Sequence, residues 1–76
     1  MNSKQIIKIA EKYGFKENWY DDYGTPCFSF KILKLDSNVD YKINRFCISI
    51  EQELGVIVDK IKRQEFWRFY ITLKEM

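Results

Sequence analysis

The 76-residue sequence contains no histidine, three glycines, one proline and two cysteines. Without histidine, it lacks the side chain that most often exchanges protons near neutral pH, which argues against acid-base catalysis. Cys27 and Cys47 do not form a CxxC pair, so they offer no ordinary zinc site and are expected to pack as small reduced thiols. The glycines are scattered singly and form no phosphate-binding loop. We therefore predict a protein that is not an enzyme and that carries no metal or nucleotide cofactor.

Long apolar runs and a large charge imbalance are also lacking. No run approaches the roughly 20 apolar residues that cross a bilayer, and residues 1–10 lack the apolar centre of a signal peptide. We therefore expect a cytoplasmic protein without membrane contact. Thirteen Lys and Arg face eleven Asp and Glu, for a formal net charge of +2. Because this charge is too small for a general polyanion binder, any nucleic-acid site must depend on a local basic patch.

Aromatic residues are abundant, at 17% of the chain, and apolar residues reach 46%. A domain of this size needs most of its apolar side chains simply to fold, which leaves few for a deep substrate pocket. We expect one compact domain over residues 1–76.

The clearest local pattern predicts a helix over about residues 3–13. Asn2 and Gln5 can form a capping box, and the next apolar residues recur at helical spacing. These residues are Ile6, Ile9, Ala10 and Tyr13. Gly14 suits the left-handed position that ends a helix.

Four further segments are predicted as strands or turns. A short strand precedes the turn at 21–26, whose residues favour turns. Alternating apolar residues then predict a strand over 27–35 and another over 66–73. A strand is also predicted over 41–50, with a bulge near Asn44 because the apolar phase changes there. In this arrangement Cys47 would share the outer face of its strand with Arg45 and Ser49.

Residues 51–63 allow two interpretations. A capping box at Ser49 and Gln52, with an apolar stripe after it, favours a helix. A type I turn over 52–55, with Gly55 in its last place, followed by the β-branched residues at 56–58, favours a strand, and Gly55 would weaken a helix by about 0.8–1 kcal/mol. We slightly prefer the strand.

Both interpretations give an α+β fold, with the N-terminal helix packed on a four- to five-stranded antiparallel sheet. Ten residues are expected to form the apolar face of that sheet. They are Phe28, Phe30, Ile32, Phe46, Ile48, Ile50, Trp67, Phe69, Ile71 and Leu73.

Basic and aromatic residues interleave in the segment 60–70. Phe66, Arg68 and Tyr70 would line the outer face of the last strand, close to three further basic residues. These are Lys60, Lys62 and Arg63. Such a face can stack unpaired bases and hold phosphate, or it can form a protein interface. Alternatively, a second layer covers the two aromatic rings and the basic residues form a solvated rim.

A second group of aromatic and acidic residues, Trp19, Tyr20, Asp21 and Asp22, lies beside the predicted turn. It could imitate the negative charge of nucleic acid or contact a basic protein. Alternatively, Trp19 belongs to the core and the acids only solvate the turn. Because neighbouring strand residues point to opposite faces, the two carboxylates do not predict a metal site.

The combined pattern predicts a small non-enzymatic protein that occupies a surface of a macromolecular partner, and a protein that itself binds nucleic acid is one such partner. Size and composition alone resemble inhibitors from phage and mobile elements that block host defence nucleases, an analogy at the level of class. The alternative function is direct binding of single-stranded nucleic acid by the aromatic and basic strand face. An exposed edge strand would also permit a homodimer.

Overall fold

A computed structural model describes residues 3–21 and 26–74 of the chain. The elements follow in this order: α1 (Ser3–Lys12), β1 (Phe15–Asp21), β2 (Cys27–Ile32), α2 (Val39–Leu54), β3 (Ile57–Glu65) and β4 (Arg68–Lys74). The four strands form one sheet in the order β1-β2-β4-β3, and each neighbouring pair is antiparallel. This confirms the predicted α+β class, with the N-terminal helix on an antiparallel sheet, and adds a second helix.

The first helix matches its prediction closely. Ile6, Ile9 and Ala10 are buried on the side that faces the sheet. Gly14 has a φ of 82°, in the left-handed region that glycine adopts without strain. The chain therefore turns from α1 into β1 within two residues. Asn2, the predicted cap, lies outside the described residues.

The prediction of a strand over 41–50 is wrong, because this segment lies inside α2. Its buried residues recur every three or four positions and form one stripe along the helix. They are Val39, Ile43, Phe46, Cys47 and Ile50. The change of apolar phase that suggested a bulge near Asn44 is a helical repeat. Tyr41 and Ile48 lie on the other side of α2 and are exposed.

Gly55 divides the ambiguous segment into a helix end and a strand. Its φ is 66°, and its N–H donates to the carbonyl of Glu51 over 3.1 Å. This left-handed position ends α2 at Leu54. The Glu51 carboxylate also accepts a hydrogen bond from the N–H of Val58, at 3.0 Å, and so ties the end of α2 to β3. The preferred interpretation is thus correct for the strand from Ile57 onward, but the turn that it places over 52–55 is wrong, because α2 continues to Leu54.

Two strand boundaries also differ from the prediction. The strand predicted over 27–35 ends at Ile32, since Leu33 and Leu35 are exposed and have no core to continue the alternation. The strand predicted over 66–73 begins at Arg68, because Phe66 and Trp67 form the turn between β3 and β4. The short strand predicted before the turn at 21–26 is confirmed as β1, which also includes Asp21, and residues 22–25 of that turn lie outside the described residues.

The core lies on one face of the sheet, beneath both helices. At its centre, four phenylalanine rings meet at centroid distances of 4.8 to 6.2 Å, mostly edge to face, as aromatic pairs prefer. They are Phe15, Phe30, Phe46 and Phe69. Of the predicted sheet residues, Phe46 and Ile50 are buried but belong to α2, and Ile48 and Trp67 are not buried.

Candidate functional site

The face of the sheet opposite the helices is the candidate site, and we call it the open face. Residues paired directly across antiparallel strands point to the same side of a sheet. Three rows of described side chains cross the strands on this face. They are Lys16, Lys31, Arg68 and Glu65; then Ser29, Tyr70 and Lys62; then Cys27, Thr72 and Lys60. Within residues 3–21 and 26–74, no helix packs on this side.

The open face is strongly basic although the whole chain is nearly neutral. The three rows named above contain five cations and one carboxylate. The cations are Lys16, Lys31, Lys60, Lys62 and Arg68. The four lysines are exposed and have no hydrogen-bond or ion-pair partner in the described part of the chain. The lysine charges are therefore available to a ligand.

Arg68 is the most constrained of these cations. Its Cζ lies 5.1 Å from the centroid of the Trp67 ring, within the range of a cation–π contact. Its Nη2 lies 3.8 Å from a carboxylate oxygen of Glu65. Its Nε is buried and has no hydrogen-bond partner among the described residues. The guanidinium is thus held in place on the open face with a donor still unused.

The middle row combines an aromatic ring with a buried hydroxyl. Tyr70 is partly exposed, between Ser29 on β2 and Lys62 on β3. Ser29 is only 1% exposed, and its Oγ has no hydrogen-bond partner in the described residues. Ser29 Oγ and Arg68 Nε are thus two buried polar atoms without a hydrogen-bond partner in the described residues, whereas most buried polar atoms are paired.

The structure brings together four of the basic and aromatic residues singled out in the sequence and separates two. Lys60, Lys62, Arg68 and Tyr70 share the open face. Arg63 lies on the helix side, where Nη1 donates to Asp40 Oδ1 over 2.8 Å and Nη2 donates to the carbonyl of Phe66. Phe66 is 70% exposed in the β3–β4 turn. The expectation that it lines the strand face with Arg68 and Tyr70 is wrong, because β4 starts two residues later.

Lys16 and Lys31 are the site residues that the sequence pattern did not identify. They stand opposite each other on β1 and β2, and Lys31 also stands opposite Arg68. The alternation of β2 places Lys31 on the outer face, which is a signal within the sequence. The position of Lys16 and Arg68 on either side of Lys31 depends on the order of the strands, which local patterns do not supply.

The acidic and aromatic group lies largely outside the described residues. Trp19, Tyr20 and Asp21 belong to β1 by their backbone, opposite Ser29, Phe28 and Cys27. Their side chains, and all of Asp22, are outside the described part. Among the side chains that are described, no three His, Cys, Asp or Glu residues are grouped as metal ligands. No helix in the described ranges is long and apolar enough to cross a membrane.

The two thiols differ from their predicted positions. Cys47 is buried on α2 and does not share an outer strand face with Arg45 and Ser49. Burial, with a smaller effect of the Glu51 charge, raises the pKa of the Cys47 thiol to about 12. This thiol therefore remains protonated near neutral pH and is a poor nucleophile. Cys27 lies partly buried on the open face.

The open face is therefore a rigid, basic, partly aromatic surface on four strands. Its described side chains supply cations and hydroxyls, which bind anions, and one partly exposed ring in the three rows, that of Tyr70. Comparison of the chain with known protein families, with curated proteins and with solved structures finds no significant match.

Proposed function

We propose that this chain is a non-enzymatic binding module whose open face binds single-stranded nucleic acid. The observation that carries the proposal is the cluster of five cations around Tyr70 on a sheet face that neither helix covers. Phosphate groups supply most of the affinity in nucleic-acid complexes, and aromatic rings on a sheet stack unpaired bases. The sequence pattern favours a protein partner, whereas this geometry favours the alternative function, binding of single-stranded nucleic acid.

The arrangement of the cations suits an extended strand. Neighbouring β-strands lie about 4.8 Å apart, so Lys16, Lys31 and Arg68 present three charges across about 10 Å. Lys60 and Lys62 present two more on β3, on the other side of Tyr70. A nucleic-acid backbone can therefore contact phosphate-binding groups on both sides of the ring on which a base stacks.

The chemistry of the face favours binding without strict sequence preference. Ammonium groups recognise phosphate as point charges, and a stacked ring accepts any base. If all five cations contact phosphates of a single strand, log K should fall against log salt with a slope of about −3.5. Affinity should therefore be high at low salt and weak at high salt.

A protein partner is the second candidate, and the exposed Phe66 favours it. Phe66 is 70% exposed at the β3–β4 turn, beside Trp67 and the constrained Arg68. Aromatic and arginine side chains dominate the binding energy of many interfaces. The partner would then present an acidic surface to the open face. Inhibition of a nucleic-acid-binding protein by this chain is one form of this second proposal.

Fluorescence anisotropy with a labelled single-stranded oligonucleotide, over a series of salt concentrations, tests the first proposal. Tyr70→Ala should weaken binding by roughly 1–3 kcal/mol, and Tyr70→Phe should retain it, because stacking needs the ring rather than the hydroxyl. Lys62→Gln should weaken binding and reduce the salt dependence.

Arg63→Gln is the matched control, since it removes the same charge from the next residue of β3, on the opposite side of the sheet. An equal loss in the two variants would mean that the open face is not the site. If no oligonucleotide binds at low salt, the nucleic-acid proposal is wrong. Loss of a protein complex in Phe66→Ala, without oligonucleotide binding, would then favour the second candidate.

A further inference from the structure

A second basic feature lies at one end of the sheet, on the side of the helices. It is a cavity of about 320 Å³ lined by Lys12, Tyr13, Gly14, Lys34 and Lys42. We call it the lysine pocket. Its lysines come from three places in the chain: the last turn of α1, the loop after β2 and the first turn of α2. The fold therefore brings together three cations that are far apart in sequence.

The walls of the lysine pocket are fixed by hydrogen bonds. Leu33 N–H donates to the carbonyl of Gly14 over 3.0 Å, which joins the loop after β2 to the turn after α1. The hydroxyls of Tyr13 and Ser49 lie 2.8 Å apart in a hydrogen bond, which joins that turn to α2. The three chain segments that carry the lysines are thus held in place before any ligand arrives.

Positive charge in the lysine pocket exceeds the negative charge beside it. Lys42 Nζ lies 3.2 Å from Asp36 Oδ2, while Lys12 and Lys34 have no hydrogen-bond or ion-pair partner among residues 3–21 and 26–74. Asp36 also accepts a hydrogen bond from the Asn38 N–H, over 2.9 Å. Asp36 thus pairs with one of the three pocket lysines, Lys42, and also accepts a backbone hydrogen bond.

We propose that the lysine pocket binds a phosphate group. Three lysines line one cavity, their ammonium groups match the several charged oxygens of a phosphate, and ammonium is a common phosphate ligand. The cavity is about ten times the roughly 30 Å³ that a water molecule occupies in the liquid, so a phosphate group fits within it. Phosphate binding here depends only on the residues of the lysine pocket and is independent of the function of the open face.

The phosphate can come from a bound strand or from a separate phosphorylated molecule. The pocket adjoins the first row of the open face, since the Gly14–Leu33 bond follows directly on the pair Phe15 and Ile32, and Lys16 stands opposite Lys31 in the next pair. A strand bound on the open face could therefore place a terminal phosphate in the pocket.

Titration of the intact protein with pyrophosphate at low ionic strength, followed by amide NMR shifts, tests the site. Saturable shifts should centre on Gly14 and Lys34. Lys12→Gln and Lys34→Gln should each weaken binding roughly tenfold, the loss expected for one charged hydrogen bond. Lys8→Gln, one turn earlier on α1 and outside the pocket, should leave the affinity unchanged.

Asp36→Asn gives the most specific result. Because it removes the carboxylate that competes for Lys42, it should strengthen pyrophosphate binding. A thermal melt of each variant, without ligand, establishes that the variant is folded. Weaker binding in a folded Asp36→Asn variant would overturn the proposal, as would unsaturable shifts or an equal loss in Lys8→Gln.

Oligonucleotides with and without a 5′ or 3′ phosphate identify the source. If the pocket binds the end of a nucleic-acid strand, the oligonucleotide with a 5′ or a 3′ phosphate should bind more tightly than the one without a phosphate. Lys34→Gln should remove that difference in affinity. If phosphorylation makes no difference while pyrophosphate still binds, the ligand is a separate phosphorylated molecule. If the Tyr70→Ala test shows that the open face does not bind nucleic acid, pyrophosphate should still bind in the lysine pocket.

Discussion

At the scale of single residues, the two thiols show how burial sets reactivity. Cys47 lies in the core on α2, whereas Cys27 is partly exposed on the open face. The pKa of Cys47 is raised from an ordinary 9.0 to about 12 by burial and by the charge of Glu51. Since only the thiolate attacks alkylating agents, Cys47 is protected twice, by its location and by its protonation.

Iodoacetamide should therefore modify Cys27 and spare Cys47 in the folded protein at pH 8, as measured by mass spectrometry of peptides. In denaturant both should react. The raised pKa also means that Cys47 favours the folded state below about pH 9, and that this contribution is lost as the pH rises toward 12. Equal modification of both thiols in the folded protein would contradict the buried position of Cys47.

Asp36, a partly exposed residue, shows a pKa shift in the opposite direction. The hydrogen bond from the Asn38 N–H, followed by that from Lys42, holds the pKa of its carboxyl below the ordinary 3.8. The carboxylate is therefore ionised at neutral pH, and it favours the folded state above about pH 3.8. That contribution is lost as the pH falls through the lowered value.

At the scale of elements, α2 provides a direct test of helix against strand. In the predicted strand, Ile48 and Ile50 share the buried face; in α2, Ile50 is buried while Ile48 is 38% exposed. Ile50→Lys should unfold the protein or nearly so, because it places an unpaired charge in the core. Ile48→Lys should change the free energy of unfolding by less than about 1 kcal/mol. Urea denaturation of both variants measures the difference, and equal losses would contradict the helix.

The error at α2 has a physical cause. Phe46, Ile48 and Ile50 alternate as a strand does, while Ile43, Phe46 and Cys47 recur as a helix does. Aromatic and β-branched residues also favour strands locally, and tertiary packing overrides this preference. Inside a helix Gly55 would be a weak point, but its left-handed conformation makes it the end of α2.

The candidate site was predictable only within each strand. Alternation along β4 placed Arg68 and Tyr70 on the outer face, as the structure does. The position of Lys16 on this face depends on which strands are neighbours. The position of Arg63 on the helix side depends on how β3 alternates around its two bulges. Pairing between distant segments is set by the whole core, and local residue patterns contain little information about it.

At the scale of the whole molecule, the stability of the sheet depends on α1. Ile6 is completely buried between the helix and the sheet, whereas Ile7, its neighbour, is only partly buried. Ile6→Asp should unfold the chain or leave it without fixed packing, as shown by loss of a cooperative thermal transition. Ile7→Asp is the matched control and should remain folded. A cooperative melt at an unchanged temperature in Ile6→Asp would exclude the packing of α1 on the sheet.

The order β1-β2-β4-β3 also determines when the site comes into existence. β4 is the last strand along the described chain, yet it separates β2 from β3 and is the one strand with which β3 pairs in the described sheet. A chain emerging in sequence order can form the β1–β2 hairpin early, but β3 can pair only after β4 has emerged. Each row of the open face crosses β4, so no earlier fragment presents the cations around Tyr70. Binding should thus appear together with complete folding, as one late and cooperative event governed by contacts between distant parts of the chain.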